Sequence, residues 1–127
     1  FDVSVTTNMY GDILSDEASE IAGSLGMAAS WNAGDQFAMA QAQHGSAPSL
    51  AGKDQANPSS LIGSAAMLLR WLGERRDAAN FFAAADAIEQ AITAAVASPS
   101  TRTADLGGAL GTAAYVDGLV AMLTPSA

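Results

Sequence analysis

Two carboxylates one helical turn apart are the first residues in this sequence that could do chemistry. In "GDILSDE", Gly11 to Glu17, Asp12 and Asp16 are four positions apart. On a helix they would share a face, with Cβ atoms roughly 5–6 Å apart. Like charges at that spacing repel, by about a few tenths of a kcal/mol in solvent and more if buried. A divalent cation reverses that sign. Hard oxygen donors suit Mg²⁺ or Mn²⁺, which take one or two carboxylates and complete their shell with water and substrate oxygens. Acids in the first turn of a helix also favour its dipole with no metal at all, and spacing alone favours that plainer use.

The second concentration of functional groups is "HGSAPSLAGKDQANP", His44 to Pro58, which holds the chain's single histidine, two prolines and a Gly-Lys pair. A phosphate loop needs four residues between its first glycine and Gly-Lys, followed by Ser or Thr. Here six residues separate Gly45 from Gly52, and Asp54 follows Lys53. That reading fails. A lone histidine in a chain without cysteine does not make a zinc site. Ser46 beside His44 lacks the orienting acid and backbone elbow of a hydrolytic pair. Asn57-Pro58 reads as a helix start, a capping side chain followed by a proline whose missing N–H does no harm. A helix N-terminus is also where a ligand can meet the backbone. "TRTADLGGALG", Thr101 to Gly111, reads by itself as a surface loop. Its glycines do not match the dinucleotide fingerprint G-x-G-x-x-G, and no strand clearly precedes them.

These groups must be positioned by the elements around them. Phe1, Val3 and Val5 alternate with Asp2 and Ser4, which predicts a strand. Asp12 to Ile21 predicts a helix with Ile13, Leu14, Ala18 and Ile21 on its apolar side, broken by Gly23 and Gly26. Met27 to Gly34 has no firm period, and Phe37 to Gln43 predicts a strand that delivers the chain to His44. After Asn57-Pro58 the stripe Leu61, Ile62, Ala65, Leu68, Leu69 and Leu72 predicts a helix terminated at Gly73. Phe81, Ala85, Ile88, Ile92 and Val96 predict the next, ended by Ser98-Pro99, with Phe81-Phe82 in the core. Val116, Leu119, Val120 and Leu123 predict a closing helix.

Composition narrows the function classes. Half of the 127 residues are apolar, enough for a packed core, and the formal charge is −8 from thirteen acids and five bases. Such a chain offers no basic patch to nucleic acid. The stretch Gln55 to Leu69 is too short and too polar to span a bilayer. Zero cysteines exclude disulfides and thiolate metal sites and fit a cytoplasmic protein. A strand pattern beginning at the first residue, without methionine, leads us to expect a piece of a longer chain.

Taken in order, "TTNMYGDILSDEASEIAGSLGM", "HGSAPSLAGKDQANP", "SAAMLLRWLG" and "RTADLGG…GT" resemble the C-terminal part of the β-decarboxylating dehydrogenases, the isopropylmalate, isocitrate, homoisocitrate and tartrate dehydrogenases. The likeness covers nearly the whole chain. It implies an α/β fold of the isocitrate/isopropylmalate dehydrogenase type, a mixed sheet covered by helices with a helix-rich C-terminal portion. Residues 1–22 would end a small dimerisation and metal-site domain, and 23–127 would form the C-terminal part of the large cofactor domain. The reaction implied is oxidation of a 2-hydroxy acid with NAD, NADP being possible, and loss of CO₂. Asp12 and Asp16 match two aspartates that bind Mg²⁺ or Mn²⁺. A third aspartate and a catalytic lysine come from the partner subunit of a homodimer. His44, Gly45, Ser46, Ala47, Pro48, Ser49, Leu50 and Asn57 match the loop that wraps the adenosine half of the cofactor, with His44 against the adenine and Asn57 at its edge. The remaining catalytic groups would lie upstream, so the piece alone is expected to be inactive.

Three departures stand out. Gln41-Ala42-Gln43 replaces the Glu-Pro-Val that many members carry, Ser49 replaces the aspartate of NAD-dependent members, and Asp54-Gln55 replaces a common Gly-Ile. An altered cofactor loop is also what a non-catalytic regulatory subunit of the same family would show; retention of both Asp12 and Asp16 argues for the enzyme.

Overall fold

The computed structural model describes residues 2–124. Six regular elements follow in order: α1 (Asn8–Ala22), β1 (Ala29–Ala33), β2 (Ala38–Ala42), α2 (Ser59–Arg76), α3 (Ala79–Ala97) and α4 (Thr112–Leu123), with short 3₁₀ turns at Leu25–Met27, Pro48–Leu50 and Ala104–Leu106. The expected α/β architecture is present in a helix-rich form. Its sheet is a two-stranded antiparallel ribbon, Ala29 opposite Ala42 and Ala33 opposite Ala38. An isolated parallel bridge joins Thr103 to Leu110.

The opening strand does not form. Phe1 lies outside the described residues, and residues 2–7 have no regular structure, with Val3 79% and Val5 92% exposed. Alternation supplies a face, but a strand also needs a neighbour to take its hydrogen bonds, and among the described residues none pairs with this segment. α1 starts four residues earlier than expected and stops at Gly23, whose φ of 144° favours glycine and whose N–H reaches Ser19 and Glu20 carbonyls. The aperiodic stretch after Gly26 contains β1. Its Ala-Ser-Trp-Asn-Ala sequence carries little strand propensity, and pairing with the expected strand β2 makes it one.

α2 runs past Gly73 to Arg76, and Asp77 takes the left-handed position (φ 48°) where a glycine was expected. The helix packs on both strands with one side and on α3 with another. The buried residues are not the predicted leucines but Ser59, Ser60, Ser64, Ala66 and Gly73. Leu61 is 57% exposed, and Ala65 is exposed as well. The hairpin side is built of small residues because the backbones approach closely: a Cβ on Gly63 would stand 3.2 Å from Ala29 Cβ. The serines there are paired, which removes the cost of burying them. Ser64 Oγ donates to Gln41 O at 2.7 Å and accepts from Ser30 N at 3.0 Å, while Ser60 Oγ donates to Ala28 O.

Across α2, Arg70 makes a two-pronged ion pair with Glu89 of α3 (3.0 and 2.6 Å) and reaches Asp86 at 2.6 Å. Ala91 and Ala95 of α3 pack with Tyr115 and Leu119 of α4, joined by Ile62, Ile92 and Leu110. Ser59 Oγ and Tyr115 Oη share a buried hydrogen bond of 2.7 Å that ties the start of α2 to α4.

Gly73 is an interior contact rather than a stop signal, because a Cβ there would come within 2.9 Å of the Phe82 ring. Overpacking costs about 1–3 kcal/mol, and replacing a mid-helix glycine by alanine returns about 1. Gly73→Ala should therefore lower stability by up to about 2 kcal/mol in urea unfolding. A more stable variant would mean that the ring moves freely aside.

Candidate functional site

The chain leaves β2 at Ala42, and Gln43 N–H donates to Ser60 Oγ at 3.3 Å, which seats the root of the loop on α2. His44 follows at once. Its Nδ1 lies 2.9 Å from the Gly45 carbonyl; as donor there, it leaves Nε2 an acceptor. Ala47 is left-handed (φ 41°) and starts the 3₁₀ turn Pro48–Leu50, closed by Leu50 N–H to Ala47 O at 2.9 Å. Asp54 also has positive φ, 53°, at the place where glycine is common in the resembling family. Aspartate is among the few non-glycine residues that enter that conformation. Here the carboxylate accepts from Ala113 N–H at 2.8 Å and the Asp54 carbonyl accepts from Thr112 N–H at 3.1 Å, so Asp54 caps α4.

The two ends of this loop meet. His44, Gly45, Ala47 and Leu50 from one end and Gln55, Ala56 and Asn57 from the other line one mostly apolar cavity of about 390 Å³. The Ser24–Gly26 turn and Asp105 complete it. Its volume lies in the range of small-molecule clefts, roughly 300–1,000 Å³. Of the sequence-predicted loop residues, Ser46, Pro48 and Ser49 lie outside that lining.

Asn57 is only 7% exposed, and both ends of its amide are hydrogen-bonded. Oδ1 accepts from Ser59 N–H at 3.0 Å, the cap expected from sequence, and Nδ2 donates to Asp105 at 3.0 Å. Asp105 also accepts from Ser24 Oγ and Thr103 Oγ1, each at 2.5 Å. Partial burial pushes this carboxyl up, but the hydrogen bonds from Ser24, Thr103 and Asn57 outweigh it and hold it below the ordinary carboxylate range. Gly26 passes so close that a Cβ would stand 2.9 Å from Asn57 Cβ. Ser24 was not singled out from sequence, Gly26 only as a helix breaker, and Asp105 only as part of the block Arg102 to Gly108. The signal available was the Arg102–Gly108 block, whose Thr-x-Asp spacing allows a side-chain hydrogen bond from Thr103 to Asp105.

Asp12 and Asp16 lie in α1, one turn apart and exposed to solvent. Among the described residues no basic side chain pairs with either, since the ion pairs formed are those of Arg70. Asp16 Oδ1 accepts from Gln43 Nε2 at 2.9 Å. No third His, Cys, Asp or Glu joins them to form a metal-binding set among the described residues. Asp16 and Leu25 border one surface hollow, and Leu25 also lines the loop cavity, so the acidic helix and the cavity are neighbours. Among the described residues no helix is long and apolar enough to cross a membrane.

The profile of the isocitrate/isopropylmalate dehydrogenase family matches residues 1–119. Isocitrate/homoisocitrate dehydrogenase of Thermus thermophilus is 47% identical over 123 residues, covering 97% of this chain and 34% of that protein. The NADP isocitrate dehydrogenase of Rickettsia felis is 58% identical over 74 residues, 58% of this chain and 15% of that protein. Among solved structures, isocitrate dehydrogenase from Methylococcus capsulatus superposes with a TM-score of 0.78 at 39% identity, covering 91% of this chain and 33% of that one. The chain thus spans about a third of the length of the Thermus relative.

Proposed function

Because the chain belongs to the isocitrate/isopropylmalate dehydrogenase family, we propose that it supplies the metal-binding helix and the adenosine clamp of an NAD-dependent enzyme that oxidises and decarboxylates a 2-hydroxy acid. The substrate would be isocitrate-, 3-isopropylmalate- or tartrate-like. The observation that carries this reading is the meeting of His44 and Asn57, thirteen residues apart in sequence, on one apolar cavity.

In this reading the His44 ring packs against the adenine, and Gly45, Ala47 and Leu50 form an apolar wall around it. The Asn57 amide is committed to Ser59 and Asp105, so it is the main chain of Asn57 that meets the edge of the base. Asp105 then acts by holding that segment still. Residues 1–22 are assigned to the metal-bearing domain and 23–127 to the cofactor domain.

The donor set at α1 fits Mg²⁺ or Mn²⁺: two exposed carboxylates one turn apart, uncompensated by any base among the described residues. Asp12 and Asp16 would hold the ion, with the remaining ligands from substrate and the partner subunit of a homodimer. When bound, such an ion polarises the substrate's oxygens and stabilises the charge that develops as CO₂ leaves. The chain's own part is to present both carboxylates from a preformed helix and to keep the cofactor loop beside them.

Ser49 provides the test. It is exposed on the 3₁₀ turn just past Ala47, where an aspartate would accept from the ribose hydroxyls and repel a 2′-phosphate. A serine still hydrogen-bonds the ribose, worth about 0.5–1.5 kcal/mol against roughly 1.5–3 for a charged acceptor. The full-length protein should therefore prefer NAD modestly, and Ser49→Asp should widen the NAD/NADP ratio of kcat/KM by about tenfold or more. Turnover should be assayed on a panel of 2-hydroxy acids. A strong preference for NADP, or a ratio unmoved by Ser49→Asp, would count against the clamp; no turnover with any acid would favour the regulatory-subunit reading.

A further inference from the structure

Gln43 joins the two halves of the site. Its main chain is fixed to α2 through Ser60, and its neighbour is His44, the first residue of the cofactor loop. Its side chain reaches the other way, to α1: Nε2 donates to Asp16 Oδ1 at 2.9 Å and to Ser19 Oγ at 3.4 Å. An amide nitrogen has two hydrogens, so both bonds can be made at once. Ser19 Oγ in turn donates to Ser15 O at 2.7 Å, which holds it as an acceptor. From the turn beyond Gly23, Leu25 N–H also reaches α1, at Glu20 Oε1 (3.1 Å), away from the aspartate pair.

The consequence is geometric. With Oδ1 engaged by the amide, the Asp16 carboxylate has a set orientation and its Oδ2 remains for a cation. Hydrogen bonds to metal-ligating carboxylates set their orientation and affect affinity.

We propose that Gln43 is a positioning residue that orients Asp16 for the divalent cation and couples cation binding to the cofactor loop. The proposal rests on the reading of Asp12 and Asp16 as metal ligands and of the His44 loop as the NAD site. A cation that pulls on Asp16 shifts Gln43, and with it the backbone entering His44; by linkage, whatever factor the cation exerts on NAD affinity, NAD exerts on cation affinity.

The experiment uses the full-length protein in its native assembly and measures Mn²⁺ binding by electron paramagnetic resonance, with and without NAD, and NAD binding by fluorescence, with and without Mn²⁺. Gln43→Val removes the donor; Gln43→Met removes it while keeping the side chain's length. Both should weaken Mn²⁺ binding by about threefold to tenfold, at or below the low end for outer-shell groups because the site is exposed. Both should also bring the factor by which Mn²⁺ and NAD change each other's affinity towards one, a readout that loosened packing alone would not move. Parent-like Mn²⁺ affinity and parent-like coupling in both variants would overturn the proposal while leaving the site reading intact. If the parent bound NAD but no Mn²⁺, the metal reading would fall and the proposal with it.

Discussion

Asp16→Asn should deprive the full-length protein of its cation long before it disturbs the fold. Asparagine keeps the shape of the side chain and an oxygen that can accept from Gln43, but it lacks the charge on which a hard cation depends. Outer-shell changes alone cost 10–100-fold in metal affinity, so loss of a charged ligand should cost about a hundredfold or more, and turnover should fall with it. Stability should change by no more than about 0.5 kcal/mol, because Asp16 is exposed on α1 and asparagine Oδ1 can keep the bond from Gln43. Without metal, the variant is relieved of repulsion with Asp12 and should melt no earlier than the parent. Mn²⁺ titration alongside thermal melting separates the outcomes. An unchanged affinity with a changed melting point would make Asp12 and Asp16 ordinary helix acids.

The second large effect belongs to Asp105. Its carboxylate is the common acceptor for Ser24, Asn57 and Thr103, all buried. Alanine leaves the Ser24 and Thr103 hydroxyls without an acceptor and the Asn57 amide with only its weak bond to Met27 Sδ at 3.7 Å, and each unsatisfied buried group costs about 1–3 kcal/mol where water cannot reach it. Asp105 itself is partly open to solvent, so water will replace some of those bonds, and a net loss of about 2–3 kcal/mol is expected. The released Asn57 amide should also loosen the cavity and raise the Kd for NAD by about tenfold or more. Asp105→Asn, which keeps one acceptor oxygen, should fall between.

Acid should expose the same group. Its folded pKa lies below the ordinary carboxylate value of about 4. Its stabilisation is therefore complete above that value and disappears as pH falls through the lower, folded one. Asp105→Ala should lack that part of the acid slope. Urea unfolding between about pH 3 and 7 checks this, and parallel pH profiles for parent and variant would mean that the carboxylate contributes nothing as an acceptor.

Much of this fold was legible because local rules governed it. The Asn57-Pro58 start of α2, the end of α1 at Gly23, strand β2 and the whole of α3 follow from caps, glycine and period. Two readings failed for a shared reason. Val3 and Val5 have the alternation of a strand, and the leucines of α2 have the period of a buried face, yet both patterns describe only one partner of a contact. Leu61 stays largely exposed while Ser60 and Ser64 are buried beneath the hairpin. Hydrophobicity ranks side chains by what they lose on leaving water; a serine loses little once Ala28 and Gln41 carbonyls accept its hydroxyl proton.

The candidate site divides along the same line. Sequence by itself determined which groups could act and in what order: Asp12 and Asp16 one turn apart, a histidine loop closed by a capping asparagine, an acidic chain unsuited to nucleic acid, and the family likeness that those blocks carry together. Only the tertiary structure decided that Asp105, nearly fifty residues beyond Asn57, would be the acceptor that fixes the Asn57 amide, and that Gln43 would reach back to Asp16. Residue type and local spacing fix what a side chain can donate or accept. Which partner receives that bond depends on chain segments being brought within about 3 Å of each other, and that is a property of packing.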